Sequence, residues 1–244
     1  MKILVLQHAT VEHPGIFRDF FREDGFSWQA VEVDEGETIP DLEPFDLMVA
    51  MGGPMDVWQE DQHPWLKTEK AAIARFVADM RRPYLGICLG HQLLADALGG
   101  RVGKAATPEV GILTVTKTAE GHNDAMLGGT PDPMQALQWH GAEVQALPPG
   151  AMLLASSPAC PIQSFRYGEH AYGLQFHVEI NKDTVAEWAD IPEYAASLEE
   201  KMGAGAVSRL AADVEALLPV FNRDARTLYE GLKAALARSC GACN

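Results

Sequence analysis

Apolar positions fall along this chain in two textures. Over roughly the first hundred residues, short apolar runs alternate with stretches in which apolar positions recur at helical spacing. Residues 2–7, 45–51 and 84–87 are short, nearly continuous apolar runs, as expected of strands covered on both faces, and residues 28–33 alternate. Between them, Ile16, Phe17, Phe20 and Phe21 share one helical face that stops near Gly25. Over 65–80, Leu66, Ala71, Ile73, Ala74, Phe76, Val77 and Met80 keep to about one side of a helix. Leu93, Leu94, Ala97 and Leu98 mark another. Strands and helices in alternation, with short connections, predict a parallel sheet with right-handed crossovers. In such a sheet the site lies at the carboxyl ends of the strands.

After Gly99-Gly100 the texture changes. Residues 111–118, 134–139, 143–147, 152–155, 162–167 and 171–178 are short strand-like runs divided by Gly, Pro and Asn, with no strong helical pattern between them. They predict an antiparallel or mixed extension of the sheet. From Asp183 the helical spacing returns. Val207, Leu210, Ala211, Val214, Leu217 and Leu218 form one stripe, and Phe221, Leu228, Leu232 and Leu236 a second, with Asn222 or Asp224 as a candidate cap between two helices. The expected organisation is one α/β domain over residues 1–190 and a helical appendage over 191–244. The apolar faces of the appendage are expected to pack on the parent domain, with a homodimer or partner interface as the alternative use.

Composition narrows the function classes. A formal charge of −15 over 244 residues opposes binding to nucleic acid or an anionic membrane surface. No apolar run approaches the ~18 residues of a membrane-spanning helix. The first apolar run is too short for a secretory leader, and the expected location is the cytoplasm. In that setting the four cysteines are expected to be thiols rather than disulfides. Cys240-Gly-Ala-Cys243 has the spacing of a redox or metal pair, but no strand precedes it and no second pair accompanies it.

The chemistry concentrates at Gly86-Ile87-Cys88-Leu89-Gly90-His91-Gln92. A strand, a cysteine between two glycines and then a helix form the context of a nucleophile elbow, with a thiol where hydrolases carry a hydroxyl. A Cβ at position 86 or 90 would crowd the tight turn. Cys88 at a helix N-terminus would be favoured as thiolate. A buried structural cysteine is the alternative unless a base lies elsewhere. Among eight histidines, His177 stands in Gln175-Phe176-His177-Val178-Glu179. On a strand His177 and Glu179 would face the same side, imidazole beside carboxylate. Such a pair can also be a surface ion pair, two metal ligands or a core histidine with its partner. No third ligand with matching spacing is evident, and no metal or other cofactor is expected. Beside the cysteine elbow the pair reads as the rest of a Cys-His-Glu triad.

These motifs, with Met51-Gly52-Gly53-Pro54 upstream and Trp139-His140-Gly141 between, resemble the triad-type (class I) glutamine amidotransferases, in the family's order and over roughly residues 1–185. The likeness is strongest to free-standing, GMP-synthase-like members. The fold class expected is α/β: a three-layer, flavodoxin-like open sheet, mostly parallel, with a mixed extension and the C-terminal helices. The resemblance implies Cys88 as nucleophile, His177 as base and Glu179 as its orienter. It places oxyanion donors at Gly53 and Leu89, and substrate contacts at Gly52, Gln92, Trp139 and Gly141. It implies hydrolysis of the glutamine γ-amide to glutamate and ammonia, with no cofactor. The ammonia would go to a separate synthetase chain, since no phosphate-cradling loop is present here. A stand-alone hydrolase of γ-glutamyl peptides or amides with the same triad is the alternative. A silent binding module of the same fold is the third; such a module would be expected to lack a triad member, and none is missing.

Overall fold

Nine strands form one continuous sheet in the order β2-β1-β3-β4-β9-β8-β7-β5-β6. The computed structural model describes the backbone of residues 1–241 and the side chains of residues 1–237. β1 (Lys2–Gln7), β2 (Ser27–Glu32), β3 (Leu47–Ala50), β4 (Tyr84–Ile87) and β9 (Ala171–Leu174) pair in parallel. β8 (Ser164–Tyr167), β7 (Ala151–Ser156), β5 (Arg101–Lys117) and β6 (Met134–Ala146) continue the sheet in antiparallel pairs. The sheet is thus mixed, and β9 is its seam, parallel to β4 on one side and antiparallel to β8 on the other.

The central strands bury both faces, which is why they read as apolar runs. Ile3, Val5, Leu47, Val49 and Leu85 face α1 (Phe17–Glu23) and the end of the last helix. Leu4, Leu6, Met48, Ala50 and Tyr84 face α2 (Trp65–Ala74) and α3 (Leu89–Ala97). α2 continues into a π-helical turn at Arg75–Asp79 that buries Phe76 and Val77. A short helix, α4 (Ala119–Asn123), follows β5. A third cluster, built on Val110, Leu137, Trp139 and Ile180, lies under α5 (Thr184–Ala189), α6 (Pro192–Met202) and the first half of α7 (Ala206–Gly241).

Four expectations need correction. The run over 171–178 is a strand only to Leu174; His177 then makes an isolated antiparallel bridge to Leu137 of β6. The segments 134–139 and 143–147 are one strand, β6. β5 starts ten residues before the predicted run, because its first half is mostly exposed and bulged and shows no alternation. The two C-terminal helices are one, α7, with Pro219 inside it. Neither Asn222 nor Asp224 is a cap; Asp224 is buried mid-helix and accepts a hydrogen bond from Arg223 Nε at 3.0 Å. Pro219 cannot donate to the helix ladder, but tertiary burial on both sides of it holds the helix through. Leu210, Val214 and Phe221 pack into the third cluster, and Leu228, Leu232 and Leu236 into the cluster against α1. Among the described residues no helix is long and apolar enough to cross a membrane. The Cys240–Cys243 pair lies outside the described side chains.

Candidate active site

Cys88 joins β4 to α3 with φ 52° and ψ −104°, in the left-handed region that side chains rarely adopt. Two close approaches hold it there. A Cβ on Gly86 would come within 2.3 Å of the Gly90 carbonyl oxygen, and one on Gly90 within 2.1 Å of the Ala50 carbonyl oxygen. The turn is pinned by Cys88 N–H donating to Leu174 O (2.8 Å), Gly90 N–H to Met51 O (3.0 Å) and Tyr84 O–H to Gly90 O (2.8 Å). Strain of this kind persists only where the surroundings over-determine it.

His177 arrives from the neighbouring strand. Its backbone N–H donates to Leu137 O at 2.9 Å, which fixes the ring over the elbow. Nδ1–H donates to Glu179 Oε1 at 2.6 Å, and the ring also hydrogen-bonds with the Cys88 thiol. Glu179 Oε2 accepts Val178 N–H at 2.9 Å. The Trp188 ring meets the imidazole edge-on, with centroids 4.6 Å apart. Burial alone would lower the His177 pKa. The Glu179 carboxylate and the hydrogen bonds with Cys88 and Glu179 outweigh it and hold the pKa well above the ordinary value. The i, i+2 spacing therefore places imidazole and carboxylate together, although the backbone there has already left the sheet.

The glycine loop is set by a buried ion pair that sequence reading missed. His8 Nδ1–H donates to Gly52 O at 2.9 Å, and Nε2 lies 2.9 and 3.0 Å from the two Glu69 oxygens. Burial lowers the His8 pKa, but Glu69 more than offsets this and the net shift is upward. In a trans peptide the Gly53 N–H points opposite to the Gly52 carbonyl, so it turns away from His8. Gly53, Cys88, Leu89, Gln92 and Gly141 line a cavity of about 80 Å³. As the first residue of α3, Leu89 carries an N–H with no partner inside the helix. Gly52 does not line this cavity. Gln92 does, but its amide nitrogen donates inward, to Ala142 O (3.1 Å) and Gln175 Oε1 (3.0 Å). The Trp139 indole is buried and donates to Ser197 Oγ at 2.8 Å. Pro54, Asp56, Trp139, His140, Gly141 and Tyr194 also line a second cavity of about 440 Å³, continuous with the first and walled further by α6.

Tyr194 of α6 is the largest omission from the sequence reading. Its O–H donates to Glu12 Oε1 at 2.6 Å, and both residues are buried. Burial raises the Glu12 carboxyl, against the pull of His177 and the Tyr194 hydrogen bond. Glu12 Oε2 has no hydrogen-bond partner and abuts the α-carbon of Gly52. The two residues stand 182 positions apart, so no local pattern could have paired them. Tyr194→Phe is expected to strand the second Glu12 oxygen and cost about 1–3 kcal/mol in a urea titration, while the far-ultraviolet dichroism stays unchanged.

A second polar cluster backs the Trp139-His140-Gly141 segment. Glu109 accepts from Ser157 Oγ (2.7 Å) and Gln163 Nε2 (2.7 Å) and faces His140 Nε2 at 3.1 Å. Glu109, His140 and Cys160 could in principle bracket a metal, their ligand atoms lying within 4.8 Å of one another. The donor set fits poorly: burial pushes the Cys160 thiol up to about 12, and both Glu109 oxygens already accept hydrogen bonds.

An elbow thiol, a carboxylate-held imidazole and a glycine loop around one cavity define a class of triad amidohydrolases, and comparison with known proteins agrees. The family model for class-I glutamine amidotransferases matches residues 17–186, and the chain belongs to that family. Gamma-glutamyl peptidase 5 of Arabidopsis thaliana is 32% identical over 180 residues, covering 72% of this chain and 70% of that protein. The glutamine-hydrolyzing subunit of GMP synthase from Sulfolobus acidocaldarius is 36% identical over 154 residues, 62% of this chain and 77% of that one. The crystal structure of a glutamine amidotransferase from Thermotoga maritima superposes with a TM-score of 0.84 at 32% identity, covering 95% of this chain and 97% of that chain.

Proposed function

We propose that this protein hydrolyses γ-glutamyl amide bonds through a Cys88 thioester. The observation that carries the reading is the meeting of Cys88, His177 and Glu179 at one small cavity that opens into a larger chamber. The Cys88 thiolate attacks the γ-carbonyl carbon. The resulting oxyanion is met by the Gly53 and Leu89 N–H groups, preorganised by the His8–Gly52 contact and the start of α3. The tetrahedral adduct collapses as His177 gives its proton to the departing nitrogen. His177 then takes a proton from water, the hydroxide adds to the thioester, and the thiolate leaves glutamate behind. Glu179 holds the ring's tautomer and its positive charge throughout.

Glutamine is the smallest donor that fits this chemistry, and its ammonia would pass to a separate synthetase chain, in keeping with the likeness to a glutamine-hydrolyzing GMP synthase. The chamber favours a second donor class. Ligand sites usually enclose about 300–1,000 Å³; the nucleophile cavity alone is far smaller, while the adjoining 440 Å³ chamber reaches that range. A γ-glutamyl peptide or amide with a bulky leaving amine would use it, consistent with the likeness to a gamma-glutamyl peptidase. Glutamate release from glutamine and from a panel of γ-glutamyl peptides, with Cys88→Ala as blank, decides. Release from glutamine with stoichiometric ammonia supports the first donor, and release from peptides alone supports the second. No release above the blank from any donor overturns the reading.

The pH profile follows from His177. Its proton is needed by the leaving nitrogen, and Glu179 keeps that proton bound to higher pH. The alkaline limb of turnover is expected well above pH 6.5. Glu179→Gln is expected to bring the limb down and to lower kcat by about 10²–10⁴-fold. An unmoved limb in steady-state profiles would remove Glu179 from this role.

A further inference from the structure

We propose that Gln175 is a catalytic residue whose side-chain amide N–H stabilises the Cys88 thiolate, its polarity locked by a chain of hydrogen bonds that ends on the Ala142 carbonyl. This inference rests on the hydrolase reading for its role in turnover, but its geometry stands on its own. Gln175 is fully buried, one residue beyond β9, and its backbone N–H donates to Gln163 O at 2.8 Å. Its side chain lies between two groups, Gln92 at 3.0 Å and Cys88 Sγ at 3.6 Å.

An amide side chain can face either way, and here the direction is fixed from outside. The Ala142 carbonyl can only accept. His140 Nδ1 (2.9 Å) and the terminal atom of Gln92 (3.1 Å) both contact it, so both must be donors. The Gln92 atom is therefore nitrogen. The same nitrogen contacts Gln175, whose facing atom must then be oxygen. The remaining end of Gln175, the one against Cys88 Sγ, is NH₂. Turning either amide over would set two acceptors or two donors against each other in a site without exposure to water. Gln92 thus acts as a positioning residue for Gln175.

A donor held on sulfur favours thiolate over thiol, since the anion is the much better acceptor. It joins the His177 proton and the N-terminus of α3 as a third stabiliser of the anion. The same bond matters twice: it raises the thiolate fraction before attack and supports the thiolate when the deacylation adduct expels it. In the thioester between these steps the sulfur is neutral and the bond is weak.

The test reads the thiol directly. Alkylation of Cys88 by iodoacetamide is followed across pH by peptide mass spectrometry, in the whole chain and in Gln175→Met and Gln175→Glu. Met keeps the bulk without the donor, and Glu keeps the acceptor toward Gln92 while setting an oxygen against the sulfur. On the acid side of the profile Gln175→Met is expected to react about tenfold more slowly, with its limb at higher pH and its alkaline plateau within about threefold of the parent. Gln175→Glu is expected to shift further. Superimposable limbs in either variant, with dichroism showing it folded, would overturn the proposal. Should one variant fail to fold, the other decides. Alkylation needs no γ-glutamyl donor, so a shifted limb without turnover of any donor by the parent would sink the hydrolase reading alone. Normal turnover with an unmoved limb would sink the Gln175 role alone.

Discussion

Cys88→Ala is expected to release no glutamate from any γ-glutamyl donor above background, a fall of at least about 10⁴-fold, while unfolding at nearly the parent's denaturant midpoint. The two halves of this expectation have different causes. The covalent route disappears with the sulfur, and a carboxylate-held imidazole has no other nucleophile beside it than water. The fold survives because alanine carries the same Cβ as cysteine into φ 52°, so the backbone strain is unchanged. What is lost is a half-cavity's worth of packing and one acceptor for Gln175. Turnover retained within tenfold of the parent would remove Cys88 from the mechanism, whatever the state of the rest of the site.

Gly90→Ala is expected to do the reverse and damage the scaffold first. The new Cβ would lie 2.1 Å from the Ala50 carbonyl oxygen and 2.7 Å from its carbon. Those are backbone atoms at the end of β3, fixed in the sheet, so they cannot swing aside as a side-chain tip would. α3 would have to lift off β3, breaking the Gly90 N–H bond to Met51 O and the Tyr84 bond to Gly90 O. A loss of about 3 kcal/mol or more in urea unfolding is expected. Gly141→Ala is the matched control. Its Cβ would meet nothing within 4 Å, and its stability should stay within about 0.5 kcal/mol of the parent. A Gly90→Ala protein as stable as that control would show that the elbow is looser than its distances state.

The elbow was legible in the sequence because its requirements are local: an apolar strand, two glycines and a helical stripe within some fifteen residues. The His177–Glu179 pair was legible for the same reason, through the i, i+2 rule. That rule held although the strand beneath it did not, since the extended backbone at 175–179 is kept straight by a single bridge to Leu137 rather than by a ladder. The failures lie where distant chain decides. Pro219 and the polar residues after it signal a break, but burial of α7 in two separate clusters overrides them. The outer half of β5 is exposed and bulged, so it carries no period to read. The pairs Glu12–Tyr194, His8–Glu69 and Gln92–Gln175 join residues 61 to 182 positions apart. Each member alone looks like an ordinary polar residue of a loop or helix.

The seam position of β9 separates the two halves of the reactive pair in time. β4 is complete once residue 87 is made, but its neighbour β9 begins at Ala171, and the intervening chain must first build β5 to β8. Chains grow from the N-terminus and non-local strand pairs form late. A nascent chain that has already shaped the β1-β3-β4 core therefore carries Cys88 with neither His177 nor Gln175 beside it. The thiol stays an ordinary one until the seam closes, so its reactivity toward small electrophiles should appear together with the completed sheet and serve as a reporter of the last step of folding.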